Sequence, residues 1–187
     1  MIVTWLPSWL STDLSLISGF LTWIVVLSWL WRSGWKIQRR YFIEATQKPL
    51  TRNAIVWSAG IVGAVFFVAA QMRPGMPGVM TVAMIGALSA YVDARTHRLP
   101  NAYTVAMGIG VVLGVIVGGV ISPLWQERLL GALIGALIWF VPIALLNRLP
   151  GGMGGGDVKL APVLGALVGS VGLHAAFFAL ALSFVSA

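Results

Sequence analysis

The sequence predicts an all-α membrane protein, a polytopic transmembrane bundle of about six spans in one domain over residues 1–187, with the N-terminus outside. Three observations predict this fold. Apolar residues make up 59% of the chain and charged residues 9%, against about 25% in a soluble domain. Several apolar runs approach the ~20 residues that a helix needs to span a bilayer. Lysine and arginine are concentrated in alternate loops, as the positive-inside rule describes.

Five apolar runs are predicted to be the first five spans, over residues 14–31, 53–70, 78–92, 102–121 and 129–146. Segment 1–13 carries two tryptophans and no basic residue, so we expect an interfacial segment that is retained in the mature protein. Two Pro-Gly-type breakers in residues 73–78 are predicted to separate the second and third helices. Glycines at four-residue intervals in the later spans predict close packing of helix backbones.

Two of the runs have lengths that predict further features. Residues 78–92 would form only about 22 Å of helix against a ~30 Å hydrocarbon core, so we expect that helix to continue through Asp93. The apolar run that follows Lys159 and extends to Ala187 is longer than one span. A break near Gly169–Ser170 or Gly172 is predicted to leave a half-helix and then a further span. The natural chain is expected to continue past Ala187.

Basic residues predict the orientation in the membrane. The three loops placed inside, residues 32–52, 94–101 and 147–159, hold ten of the twelve Lys and Arg. The other two, Arg73 and Arg128, lie in loops placed outside. This bias predicts a basic cytoplasmic loop over residues 32–52. The net charge of +7 is therefore attributed to topology and to contact with the lipid bilayer, and not to nucleic acid binding.

Two carboxylates fall at the predicted cytoplasmic face. Asp93 ends the third span, and Asp157 follows five glycines within residues 151–156. A charge beside membrane-length apolar sequence costs roughly 2.5–3.5 kcal/mol on insertion scales and so indicates function, although Asp157 could instead cap the helix that follows it. Two neighbouring carboxylates can share one proton and work as acid and base, as in aspartic proteases. A proton-linked carrier is the non-enzymatic alternative.

Both aspartates lie in motifs that resemble those of the type IV prepilin peptidases. The segment from Asp93 to Asn101 resembles the Asp-x6-Pro-Asn signature, and the segment from Gly154 to Leu160 resembles the GxGD-x-K-L motif. The resemblance covers about residues 78–187, the motif-bearing part. It implies a GxGD membrane aspartic endopeptidase with Asp93 and Asp157 as its catalytic pair. An endopeptidase of this kind needs neither a metal nor another cofactor.

The resemblance also implies a substrate and a location. The substrates are prepilin-like single-helix precursors, cut between a short basic leader and the apolar helix at the cytoplasmic face of the inner membrane. Six residues around the pair are assigned to substrate binding or to the loops: Gly154, Gly155, Gly156, Lys159, Pro100 and Asn101. The glycines would allow close approach of the substrate, and Lys159 would either tune a carboxylate or reach the interface. Pro100 and Asn101 would begin the fourth helix. The remaining acids are expected in solvated roles: Asp13, Glu44 and Glu127.

One departure from the larger members of this family concerns their cytoplasmic domain, which binds zinc through paired cysteines and accompanies N-methylation of the new terminus. This chain has a 21-residue loop at that position and no cysteine. It therefore resembles the small, peptidase-only branch of tight-adherence pilus and archaeal preflagellin peptidases, and no methyltransferase activity is expected. Presenilin-like GxGD proteases are a second reading, and a structural component of a secretion assembly is a third. The sequence matches the presenilin motifs only loosely, at residues 91–93 and 160–162.

Overall fold

Helices account for almost all of the structure, a computed structural model that describes residues 8–70, 75–122, 124–150 and 154–185. The described residues contain no strand. A π-helical turn, Leu30–Gly34, joins the first two α-helices. The α-helices are α1 Ser8–Trp29, α2 Trp35–Glu44, α3 Arg52–Ala69, α4 Met76–Thr96, α5 Asn101–Ile121, α6 Trp125–Asn147, α7 Gly155–Gly169 and α8 Leu173–Val185.

Five helical segments are long and apolar enough to cross a membrane, which confirms the predicted all-helical, multi-pass fold. They are Asp13–Glu44, Arg52–Ala69, Met76–Thr96, Asn101–Ile121 and Trp125–Asn147. The last apolar run is divided into α7 and α8 at Ser170–Gly172, where a break was predicted. At 15 and 13 residues these two helices are about 22 and 20 Å long, each less than the ~30 Å core.

The prediction of a loop over residues 32–52 is wrong for most of that segment. The helix of α1 continues through the π turn and α2 as far as Glu44, and residues 45–51 alone form the connection to α3. Lys, Arg, Gln and Glu are strong helix formers, so a basic segment can extend a transmembrane helix beyond the bilayer. Buried Phe42 fixes α2 on the bundle, because its ring stacks on Tyr91 of α4 with centroids 5.9 Å apart.

The predicted break over residues 73–78 is also corrected. Met76, Pro77 and Gly78 belong to the first turn of α4, after Gly75 with φ of 96°. Proline is tolerated there because its missing N–H would have no partner within the helix. Residues 73 and 74 lie outside the described residues. So do residues 1–7 of the expected interfacial segment, whose remainder, residues 8–13, lies in α1.

Helix α4 continues through Asp93, as its short apolar run predicted, and ends at Thr96. His97 follows in the left-handed region with φ of 52°, and its N–H donates to the Asp93 carbonyl oxygen over 2.7 Å. Three irregular residues then lead to Asn101, where α5 begins after Pro100. This short connection, 97–100, holds the C-terminal end of α4 beside the N-terminal end of α5.

Glycines bring two helix pairs into close contact. On α6 and α7, Gly131 packs on the carbonyl of Gly169, and Gly135 packs on the carbonyl of Gly165. On α5, Gly114 lies against the backbone of Gly78 at the start of α4. This confirms the close packing that the four-residue glycine spacing predicted. These contacts fix α4 beside α5 and α6 beside α7, and the ends of α4, α5 and α7 contribute to the candidate site.

Candidate active site

A cavity of about 690 Å³ opens at one end of the bundle, where the C-terminal ends of α2 and α4 meet the N-terminal ends of α5 and α7. Both predicted aspartates line it. Of the six further residues predicted from the motifs, all but Pro100 line it as well. The lining residues are Arg40, Tyr41, Glu44, Asp93, His97, Arg98, Leu99, Asn101, Gly154, Gly155, Gly156, Asp157 and Lys159.

The two aspartates reach the cavity from opposite ends of their helices. Asp93 lies in the last turn of α4 and is half-buried, whereas Asp157 lies in the first turn of α7 and is exposed. The alternative that Asp157 caps a helix starting at Val158 is wrong, because α7 already begins at Gly155 and its N-cap is Gly154. The fold thus brings together two carboxylates that are 64 residues apart in sequence.

The three motif glycines have different surroundings. A Cβ atom added to Gly156 would lie 2.9 Å from the Leu99 Cβ, so glycine is required for close approach of the two motif segments. At Gly154 an added Cβ would lie 3.5 Å from the Asp157 Oδ2, an ordinary contact. At Gly155 it would meet no described atom within 4 Å. Among the described residues there is therefore open space at Gly155 and an ordinary contact at Gly154, while Gly156 packs on the protein itself.

Lys159 and Asn101 connect the two motifs directly. The Lys159 Nζ donates a hydrogen bond of 2.9 Å to the Asn101 Oδ1. Sequence reasoning offered a carboxylate or the membrane interface as the surroundings of Lys159, and the structure gives it an amide oxygen. Pro100 is buried and precedes α5, with its carbonyl accepting from the Tyr103 N–H over 3.0 Å. These contacts set the N-terminal ends of α5 and α7 side by side.

Sequence reasoning missed Glu44, which was expected in a solvated surface role. Its Oε1 lies 2.9 Å from the Arg40 Nε, and its Oε2 lies 3.1 Å from the Arg98 Nη1. The cavity wall formed by α2 also includes Tyr41. The pair with Arg40 is local, with a spacing of four residues, but no local pattern marks the contact with Arg98, which joins residues 54 positions apart. Close to it, the Gln47 Nε2 donates to the Arg95 carbonyl over 2.7 Å.

Metal-ligating side chains are not clustered in the part of the chain that the structure describes. No group of three or more His, Cys, Asp or Glu residues there is placed to hold an ion. The chemistry available in the cavity comes from the carboxylates of the two aspartates and of Glu44, from three cationic side chains, and from the polar side chains of Tyr41, His97 and Asn101. Such a set can transfer protons and bind a peptide backbone.

The fold and the site define a multi-pass membrane protein with two aspartates facing one cavity at the end of the bundle. The model of the Type IV leader peptidase family matches residues 79–187, more than half of the chain. The chain therefore belongs to the type IV leader peptidase family. No solved structure matches it significantly.

The chain is also similar to the prepilin leader peptidase/N-methyltransferase of Bacillus subtilis (strain 168). The two sequences are 34% identical over 128 residues, which cover 65% of this chain and 48% of that protein. The chain thus spans about half the length of the curated relative that it matches.

Proposed function

We propose that this protein is an aspartic endopeptidase that removes the leader from prepilin-like precursors, with Asp93 and Asp157 as its catalytic pair. One observation carries the proposal: the two motif aspartates, 64 residues apart, line the same cavity. Membership of the leader peptidase family supports the reaction class. The name of the Bacillus subtilis relative supports a prepilin substrate.

Two neighbouring carboxylates can hydrolyse a peptide bond without a covalent intermediate. The ionised aspartate takes a proton from water, and the oxygen of that water attacks the scissile carbonyl carbon. The protonated aspartate donates its proton to the carbonyl oxygen, which gives a neutral tetrahedral intermediate. This intermediate collapses when one of its hydroxyl groups returns a proton to the pair, the C–N bond breaks, and the leaving nitrogen takes the other proton from the pair. One acid and one amine are released, and the pair holds one proton again.

The proposed cleavage takes place at the cytoplasmic face of the inner membrane, with the N-terminus outside. Ten of the twelve Lys and Arg lie in the segments placed on the same side as the cavity, which supports this orientation. Single cysteines introduced at Ser11 and Thr46 can be labelled from outside in intact cells, since the chain has no cysteine of its own. We expect labelling at position 11 alone, and the reverse pattern would contradict the orientation.

The proposed enzyme does not methylate the new terminus. The methyltransferase activity in the relative's name is not extended to this chain, because its 32–52 segment has no cysteine with which to bind zinc. Mass spectrometry of the mature product, with S-adenosylmethionine present, tests this point. A product heavier by one methyl group would contradict it.

Asparagine variants of the two aspartates test the proposal. Asp93→Asn and Asp157→Asn should each lower cleavage of a prepilin by roughly 10³-fold or more, and the double variant should be no worse, because residues that act as a unit are not additive. Asparagine keeps the shape of aspartate, so the variants should elute as wild-type protein in size-exclusion chromatography. Glu127→Gln, at the far end of α6, is the matched control and should cleave normally. Substantial cleavage by either single variant would contradict the proposed pair.

A further inference from the structure

One wall of the cavity comes from outside the part of the chain that the family model matches. Arg40, Tyr41 and Glu44 lie on α2, whereas the match begins at residue 79. The continuous helix of α1, the π turn and α2 carries these side chains to the end of α4. The contribution of this wall to the site is not contained in either motif.

Contacts from the end of α2 and from the connection that follows it hold the first motif in two places. The Glu44 carboxylate binds the Arg98 guanidinium at 3.1 Å, in the connection 97–100. The Gln47 amide donates to the Arg95 carbonyl at 2.7 Å, in the last turn of α4. On the other side, Lys159 of α7 binds Asn101 at 2.9 Å. The segment from Asp93 to Asn101 is therefore held between α2 and α7.

We propose that Glu44 is a positioning residue, which sets the placement of Asp93 relative to Asp157 by holding Arg98. This inference rests on the proposed function. The connection 97–100 has no regular secondary structure, and α7 holds it at its Asn101 end. Glu44 holds its middle. Without the ion pair the connection would move, and Asp93 with it.

The ion pair contributes more to geometry than to stability. The Glu44 and Arg98 side chains are 41% and 64% exposed, and ion pairs that are exposed to this extent add little to folding. Catalysis is more sensitive, because a displacement of about 1 Å at a reacting group can cost roughly 10²-fold in rate. Loss of Glu44 should therefore slow cleavage and leave the folded protein intact.

Direct contact between Glu44 and a basic leader is the competing role. Both carboxylate oxygens of Glu44 already bind arginines, at 2.9 and 3.1 Å, which favours a role within the protein. The two roles differ in kinetics. A lost substrate contact raises KM, whereas a displaced catalytic group lowers kcat and leaves KM nearly unchanged.

The test compares four variants in cleavage of a prepilin by purified protein: Glu44→Ala, Arg98→Ala, the double variant and Arg40→Ala. We expect Glu44→Ala and Arg98→Ala each to lower kcat by about 10-fold or more with KM nearly unchanged, and the double variant to be no lower, since the two residues act through one contact. Arg40→Ala is the matched control. It removes the other ion pair of Glu44 but no contact with Arg98, so its effect on kcat should be several-fold smaller. Thermal unfolding of all four should match the wild type.

Three outcomes would overturn this inference while the proposed function stands, as shown by a cleaving wild type and inactive Asp93→Asn and Asp157→Asn variants. The first is a kcat of Glu44→Ala equal to that of the wild type. The second is a raised KM with unchanged kcat, which indicates substrate contact. The third is a lowered midpoint of thermal unfolding that accompanies the loss of kcat, which indicates a structural role. A wild type that cleaves no prepilin would overturn the inference together with the proposed function.

Discussion

The glycines of α1–α3 and those of α4–α7 have different neighbours. In the first group, a Cβ added at Gly19 would lie 2.8 Å from the Met76 Cε, and one at Gly63 would lie 2.6 Å from the Trp23 Nε1. In the second group, a Cβ at Gly114 would lie 2.7 Å from a backbone nitrogen, and one at Gly135 would lie 2.8 Å from a Cα and on a carbonyl oxygen. Side chains alone fill the space in the first region. In the second region the backbone of a neighbouring helix fills it at five glycines, while side chains fill it at others such as Gly110; the five are Gly114, Gly131, Gly135, Gly165 and Gly169.

This difference indicates which part of the molecule can adjust. The end of a side chain can take another rotamer, whereas two backbones in contact can separate only if the helices move apart. Helices α4 and α7 carry the two aspartates. Backbone contacts join α4 to α5 and α7 to α6. The family match, residues 79–187, covers nearly all of this closely packed region. The N-terminal helices pack on it through larger, more adaptable side chains.

The largest effect that would test this comparison is expected from Gly135→Ala. The new methyl group would meet the Gly165 carbonyl of α7, so α6 and α7 would have to separate. Overpacking costs typically 1–3 kcal/mol. For a chain of this length we expect the midpoint of thermal unfolding in detergent to fall by roughly 2–12 °C. Tryptophan fluorescence can follow the transition.

Gly60→Ala is the matched control in the N-terminal region. An added Cβ there would lie 3.8 Å from the Leu27 Cδ2, an ordinary contact. Alanine is favoured over glycine within a helix by about 0.5–1 kcal/mol, so the midpoint should stay the same or rise. A fall as large as that of Gly135→Ala would remove the contrast between the two regions.

A second, smaller effect is expected from Gly156→Ala, which tests the contact between the two motifs. The new Cβ would lie 2.9 Å from the Leu99 Cβ, so the connection 97–100 or the start of α7 must move by a few tenths of an ångström. We expect prepilin cleavage to fall by about 10-fold, because catalysis is sensitive to small displacements. Gly155→Ala places its methyl group in open space and should lower prepilin cleavage by less. Equal losses in the two variants would show that the Leu99 contact is unimportant.

The smallest effect is expected from Tyr103→Phe, which acts where the two regions meet. The buried Tyr103 hydroxyl of α5 donates to the Gly34 carbonyl of the π turn over 3.0 Å. Removing such a hydrogen bond costs about 0.5–1.5 kcal/mol, so the unfolding midpoint should fall by only a few degrees. Tyr91→Phe, at an exposed tyrosine, is the control and should unfold like the wild type. An unchanged midpoint for Tyr103→Phe would show that this bond does not stabilise the junction.

The helices and breaks that were predicted correctly are those determined by residues adjacent in sequence. The apolar runs predicted the spans, the short third run predicted continuation of α4 through Asp93, and the glycine-rich residues 169–172 predicted the break between α7 and α8. The two incorrect predictions are the loop over residues 32–52 and the extent of the break over residues 73–78. Both concern residue types that occur in more than one kind of local structure. Basic residues occur both in loops and in helices that extend beyond a membrane, and Pro77 both ends and begins helices.

The features of the candidate site likewise fall into those that the sequence predicts and those that only the structure shows. The amino-acid sequence by itself determined the membrane class, the apolar runs that form the spans, and the positions of the two motifs with their aspartates, because each is a property of consecutive residues. Only the tertiary structure decided that Glu44 meets Arg98 and that Lys159 meets Asn101, across 54 and 58 positions. Such pairs depend on how the α2 helix extends and on how closely glycines let α4–α7 pack. That geometry is set by the whole bundle and has no local pattern in the chain.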